Sequence, residues 1–246
     1  MEAIESFRKN DLDFEDLEHF FNVLKRRRSI RRIKDSSIPE EYIARIIAAA
    51  SLAPSASNSQ PWEFIVIKDH ETKKKIADII HIDQEICKSK DFFPHPSPDY
   101  MIKAPYAIVV CVDPRLKQAY PGTMIDSEEV FTSSYAAAIE NMLLAAAALG
   151  LTTVWVSSSP VRDNLLKKLL EIPDPIQSRA IIPVGYPEVK PRQKYERPLN
   201  ELIHFNKYDM AKYRNNEQIT EFMRLSTFRK TPELHEWKRR DQLNSK

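Results

Sequence analysis

Arg27-Arg28-Ser29-Ile30-Arg31, followed downstream by Ala53-Pro54-Ser55-Ala56-Ser57-Asn58-Ser59-Gln60-Pro61-Trp62, are the stretches on which the reading turns. The first lies inside Lys25 to Lys34, a run dominated by lysine and arginine. Such a run can be a helix C-terminus whose cations complement the macrodipole, or a nucleic-acid patch. It can also be a phosphate clamp, in which guanidinium forks bind phosphate oxygens and the Ser29 hydroxyl adds a donor. The second stretch reads most simply as a polar helix-to-strand loop. It also gathers hydroxyls and amides without acids, bases or metal ligands, an inventory suited to hydrogen bonding a flat heteroaromatic ring rather than to hydrolysis.

Glycine decides how a phosphate could be held. The chain has only three glycines, Gly122, Gly150 and Gly185, each isolated. Walker and GxGxxG loops need clustered glycines, so any phosphate must be bound by side chains. The 246 residues suffice for one large domain, and 42% hydrophobic with 29% charged residues is ordinary for a globular protein. A formal charge of +2 implies no global attraction to nucleic acid or to a membrane. Cys87 and Cys111 read as free thiols of a reducing compartment. No signal-like N-terminus or bilayer-length apolar run occurs, so a cytoplasmic protein is expected. The histidines show no ligand spacing, and no metal is expected.

Outward from these stretches, periodicity predicts a helix from Asp13 to Arg27 with Leu17, Phe20, Phe21 and Leu24 on one face. A second helix follows Ser37, with Ser37 and Glu40 as a capping box and Pro39 in the first turn. Strands are expected at Trp62–Ile67, Tyr106–Val112, Thr152–Val156 and Ala180–Val184, the second buried on both faces. Helices are expected at Lys73–Ile82, Asp126–Leu149 and from Ser159-Pro160 onward. His81 to Met101, with Pro94, Pro96 and Pro98, reads as an irregular loop. The division expected is a domain over 1–205 and an extension over 206–246 lying on the domain or on a partner subunit. Val156-Ser157-Ser158-Ser159-Pro160, a strand end opening a helix, is a third candidate site, with N-capping by Ser159 as its plainer role.

Together these segments resemble the nitroreductase-like FMN flavoproteins. The resemblance rests on Arg27 to Arg31, the Ala-Pro-Ser-x-x-Asn-x-Gln-Pro-Trp stretch and Ala138 to Ala146 before Leu149-Gly150-Leu151. It also rests on Ile182-Pro183-Val184-Gly185-Tyr186-Pro187 and Arg197-Pro198-Leu199. It implies an α+β fold with a mixed, mainly antiparallel sheet flanked by helices, in an intertwined homodimer. It implies FMN held at phosphate and ribityl by Arg27, Arg28, Ser29 and Arg31, with Arg31 able to reach the ring's pyrimidine edge. Pro54, Ser55, Ser57 and Asn58 would line the ring, typically from the partner subunit. Ser157, Ser158 and Ser159 would lie near its N5 and O4 edge. Where the family usually has a basic residue before the closing Pro-Leu, this chain has Glu196; Lys194 or Arg197 is the expected substitute.

The activity so implied is hydride transfer from NADH or NADPH to a small electrophilic acceptor (nitroaromatic, quinone or enone) by a ping-pong mechanism in one cleft. No catalytic side chain is named, because the cofactor carries the chemistry. Phe92, Phe93 and Tyr100 would give a lid aromatic surface for flat acceptors. Three alternatives stay open: reductive dehalogenation as in iodotyrosine deiodinases, the branch that fragments its own flavin, and a nucleic-acid-binding protein. The first would use a Glu, a Tyr and a Lys of the lid, but Glu85, Tyr100 and Lys103 match that spacing poorly. The last lacks interleaved aromatic and basic residues.

Overall fold

Every side chain of the strand Tyr106–Val112 is buried, as expected of a strand covered on both faces. The computed structural model describes residues 14–87, 96–119, 121–190 and 196–227. The chain divides into two compact units, Met1–Pro191 and Arg192–Lys246, the second taking in Arg197-Pro198-Leu199. In the first unit the elements are α1 (Phe14–Arg26), α2 (Glu40–Ser51), β1 (Trp62–Ile67) and α3 (His70–Cys87). There follow α4 (Asp99–Lys103), β2 (Tyr106–Val112), α5 (Arg115–Gln118) and α6 (Glu128–Ala148). The unit closes with β3 (Thr152–Thr153), β4 (Val156–Ser157), α7 (Pro160–Leu170) and β5 (Gln177–Gly185). The second unit holds α8 (Leu199–Leu202) and α9 (Asn216–Thr227).

The sheet order is β1-β2-β5-β3, with β4 also on β5, and all these pairings are antiparallel. Strand side chains alternate between faces. Ile108, Val110 and Val112 therefore enter one core with Ile43, Ile46, Ile139 and Met142 of α2 and α6. Ala107, Val109 and Cys111 enter the other with Ile76 and Ile80 of α3, Met101 of α4 and Leu166 of α7. This is the α+β arrangement expected. Burial pushes the Cys111 thiol up to about 12, with Glu63 and Asp163 adding to it, so the thiol is inert.

Three expectations are corrected. The Ser37–Glu40 capping box does not form: α2 starts at Glu40, Pro39 caps it with extended backbone, and no side chain caps the end. Glu40 instead pairs with Lys68 at 2.7 Å. The stretch from His81 to Met101 is not a continuous irregular loop: α3 runs on to Cys87, and α4 starts directly after Pro98. Proline at a helix start lacks an N–H that would be unpaired anyway, so it opens a helix as readily as it ends one. The strand expected at Thr152 to Val156 is broken in two. Thr153 faces Val184 and Val156 faces Ile181, which puts Val154 opposite Pro183. Pro183 has no N–H to donate, and the ladder lapses there.

On α1, Leu17, Phe20 and Phe21 are 47%, 53% and 45% exposed, so the predicted apolar face is uncovered within the chain. Gly185 sits where β5 meets the basic segment: an added Cβ would lie 2.6 Å from Ile33 Cγ2 and 2.8 Å from Pro105 Cδ. Gly185→Ala is therefore expected to cost about 1–3 kcal/mol by overpacking. A thermal midpoint equal to wild type would show that the junction can yield.

Candidate functional site

The basic segment opens as the last turn of α1, with Lys25 and Arg26, and from Ser29 onward is stitched along the sheet's edge. Ser29 makes a parallel bridge with Thr153 and Ile33 an antiparallel one with Pro187. The Thr152 hydroxyl donates to the Arg28 carbonyl at 3.2 Å, and Lys34 N–H to the Tyr186 carbonyl at 2.9 Å. With the backbone pinned, the arginines differ only in their partners. Arg27 pairs with Glu140 at 3.3 Å and Arg32 with Glu188 at 3.2 Å. Arg28 donates Nη1 to the Arg27 carbonyl at 3.0 Å, while its buried Nε has no hydrogen-bond partner among the described residues. Arg31 has no carboxylate partner among the described residues and hydrogen-bonds the Tyr100 phenol.

Arg31 lines a cavity of about 390 Å³ whose walls come from α3, Tyr100, Trp155 and the segment Val156 to Ser159. That size is in the range of small-molecule sites. Trp155 follows the break opposite Pro183, so the gap in the ladder coincides with the cavity wall. Ser159 caps α7, accepting from Arg162 N–H at 3.1 Å, as the plainer reading required. Ser158 N–H donates to the Arg179 carbonyl at 3.0 Å. Tyr100 is 5% exposed. Burial pushes its phenol up, and the Arg31 guanidinium pulls it partly back. It is therefore a wall of the cavity.

Of the expected residues, Arg31, Tyr100, Ser157, Ser158 and Ser159 come together in this cavity. Arg27, Arg28, Ser29, Pro54, Ser55, Ser57 and Asn58 do not line it. The loop holding the last four is anchored by Ala56 N–H donating to Ser134 Oγ at 3.2 Å. Ser57, Asn58 and Gln60 adopt φ of 49°, 54° and 45°. Left-handed backbone at residues other than glycine costs energy and concentrates at functional sites. Arg197 belongs to the second unit, where it pairs with Glu201 at 3.5 Å. Phe92, Phe93 and Lys194 lie outside the described residues.

Several residues of the cavity wall escaped the sequence reading, among them Trp155, Gln84 and a charged pair. Asp83 of α3 and Arg162 of α7 are buried and form an ion pair at 2.6 Å in the cavity wall. The signal for them was present: Asp83 is in helical phase with Ile76 and Ile80, and Arg162 with Leu166 and Leu169. A charge in phase with an apolar face must be buried with a partner. Among the described residues no cluster of potential metal ligands occurs, and no helix is long and apolar enough to cross a membrane.

A sheet between two helical layers, a basic edge segment and a serine-lined strand end define the geometry that known proteins can be compared with. The sequence pattern described as "Nitroreductase family" matches residues 24–186. The chain belongs to the nitroreductase family. A protein of Archaeoglobus fulgidus, provisionally named NADH dehydrogenase/NAD(P)H nitroreductase, is 37% identical over 174 residues, 70% of this chain and 87% of that one. Iodotyrosine deiodinase 1 of Rattus norvegicus is 30% identical over 183 residues, 69% of this chain and 62% of that protein. The solved structure of an FMN-dependent nitroreductase from Clostridium difficile R20291 superposes with a TM-score of 0.60 at 25% identity. That superposition covers 76% of this chain and 99% of the other.

In this member of the family Ser159 both caps α7 and donates to Asp83 Oδ1, whereas Ser127 caps α6 with bonds confined to its own first turn. Losing an N-cap costs about 0.5–2 kcal/mol. Ser159→Ala is expected to fall at the upper end of that range and Ser127→Ala below it in urea denaturation. The reverse order would show that the link to Asp83 contributes nothing to stability.

Proposed function

We propose that the chain is an FMN-dependent oxidoreductase that passes hydride from NADH or NADPH to a small electrophilic acceptor, working by turns in one cleft. The observation that carries this is Arg31: a guanidinium without a carboxylate partner among the described residues, in the wall of a cavity edged by serines, in a chain with no glycine phosphate loop. The residues fit FMN. The buried Nε of Arg28, without a partner among the described residues, and the Ser29 hydroxyl suit phosphate oxygens, and Trp155 and Tyr100 offer flat walls. When bound, FMN supplies the hydride-accepting and hydride-returning chemistry. Arg31 contributes positive charge where an electron-rich ring edge is favoured, and the Ser157–Ser159 segment contributes hydrogen-bonding groups to the same cavity. Arg27 would join the phosphate site by exchanging its half-exposed partner Glu140 for the ligand, a small loss because exposed pairs are worth little.

The assembly proposed is a homodimer whose cofactor contacts come from both chains. Two features support it: the uncovered Leu17, Phe20 and Phe21 of α1, and the Pro54–Asn58 loop, which is strained yet absent from the cavity wall. The C-terminal extension, with Tyr208, Met210 and Tyr213 exposed, is proposed to pack on a subunit surface. Reductive dehalogenation is the second reading, favoured by the rat relative. Tyr100 argues against it, since a buried phenol bonded to Arg31 is not available as part of a lid grip. Turnover of iodotyrosine with a reductant at rates exceeding those on a quinone would select that reading instead.

The purified protein is expected to be yellow, with one FMN per chain and Trp155 fluorescence quenched on binding. Arg31→Ala should weaken FMN binding by about 1.5–3 kcal/mol, the worth of a charged hydrogen bond; flavin affinity equal to wild type in a fluorescence titration would sink the assignment of Arg31. Light scattering at micromolar concentration should give the mass of two chains, and a flavin-loaded monomer would contradict the shared site.

A further inference from the structure

We propose that Ser178 is a positioning residue for the flavin site: held by Asp163, it turns the Ser158 hydroxyl so that Ser158 offers the cavity a lone pair and not a proton. The proposal rests on the FMN reading and adds to it the polarity of one group at the serine edge. Its starting point is a bulge in β5. Val110 of β2 faces Ala180 and Cys111 faces Ser178, so Arg179 is an extra residue with no opposite number on β2. Bulges re-aim side chains and gather beside active sites. On the other side of β5 the ladder runs on: Ser157 faces Ala180, and Ser158 N–H donates to the Arg179 carbonyl at 3.0 Å. The bulged residue is therefore the one that carries Ser158 at the cavity wall.

Ser178, 1% exposed, is the next residue of the strand. Its N–H donates to Asp163 Oδ1 of α7 at 2.6 Å, and its hydroxyl donates to the same oxygen at 2.8 Å. The other carboxylate oxygen of Asp163 pairs with Lys167 at 3.4 Å. A serine hydroxyl has one proton and two lone pairs. The proton of Ser178 is committed to Asp163 over the shorter distance, so a lone pair is what faces Ser158 Oγ, 3.4 Å away. Across that longer contact Ser158 has to be the donor. With its proton drawn inward toward β5, Ser158 has only lone pairs for the cavity that it lines.

An acceptor of fixed orientation distinguishes the two states of the ring. Reduction places a hydrogen on the ring and turns a hydrogen-bond acceptor there into a donor. A hydroxyl free to rotate suits either state, whereas one that shows only lone pairs suits the reduced state. Ser178 thus favours the reduced cofactor without touching it. One neutral hydrogen bond changes a binding constant about threefold to tenfold. For a two-electron couple that ratio is a potential about 14–30 mV more positive than a freely rotating Ser158 would give.

The test uses FMN-loaded wild type, Ser178→Ala, Ser158→Ala and the double variant. It measures the midpoint potential by dye equilibration and the dissociation constants of oxidised and reduced FMN, with the thermal midpoint as a check on folding. Neither substitution removes a helix cap: Ser159 still caps α7, and the Ser178 N–H keeps Asp163. Ser178→Ala is expected to make the potential about 14–30 mV more negative, through tighter binding of oxidised FMN. In the Ser158→Ala background it is expected to add nothing further. A Ser178→Ala protein whose potential is unchanged or more positive, whatever its melting point, overturns the proposal. So does a shift that persists undiminished in the Ser158→Ala background, because Ser178 then acts through the bulge alone. Should Ser178→Ala not fold, Ser158→Ala decides by sign: a more negative potential is expected, and an unchanged or more positive one overturns the fixed acceptor. A wild-type protein that takes up no FMN overturns the flavin reading itself, and is recognised before any variant is made.

Discussion

Burial of β2 on both faces is the constraint from which the rest of the first unit follows. A strand whose every side chain is covered needs a helical layer on each side, and Ile108 and Val109, neighbours in sequence, belong to different cores. Burying one such aliphatic side chain is worth roughly 1.5–3 kcal/mol, so exposing either face would cost a large share of a domain's margin of stability. That requirement sets α2 and α6 on one side and α3, α4 and α7 on the other. It leaves the sheet's far edge, beyond β5, as the place where irregular structure is tolerated. The cavity is at that edge, beside the pairing gap opposite Pro183.

A chain without a glycine loop must solve anion binding with side chains, and the basic segment shows how a crowded set of cations is sorted. Glu140 and Glu188 take up Arg27 and Arg32, Asp83 takes up Arg162, and Arg31 is left to a phenol. The ordering is by carboxylates supplied from helices and loops distant in sequence, not by the spacing of the arginines themselves. A site so made is selective in where it carries net charge, although the chain as a whole is nearly neutral.

Legibility followed the same division. The strands Trp62–Ile67 and Tyr106–Val112 were readable to the residue, because both are short runs rich in aromatic and β-branched residues, and the second is buried throughout. The clamp and the serine segment were readable as candidates, because their chemistry is local too. What escaped depends on partners. Ser37 fits a capping box as a string, yet Glu40 is held by Lys68, and Pro39 takes the cap. Pro98 looks like a breaker until α4 is seen to begin after it. The gap in the strand at Val154 is written in Pro183, far along the chain, and appears only once register is known. Asp83 and Arg162 each look like surface charges until both apolar stripes are drawn.

The stripe on α3 has a further implication for the rigidity of the site. Lys73, Ile76, Ile80 and Asp83 lie on one face of the helix, apolar in the middle and charged at both ends. Lys73, 6% exposed, donates to the Ala104 carbonyl at 2.6 Å, just where α4 turns into β2. Burial lowers its pKa, with Asp35 and Asp69 opposing, so the carbonyl and the two carboxylates are what make a charged amine tolerable there. Apolar contacts alone would let a helix slide by a fraction of a turn at modest cost, since they are non-directional. Hydrogen-bonded charges at both ends would not, because each must keep its partner or remain buried and unsatisfied. The helix that forms one wall of the cavity is therefore fixed along its axis at two points, one on the strand that organises the core and one on the segment that edges the site.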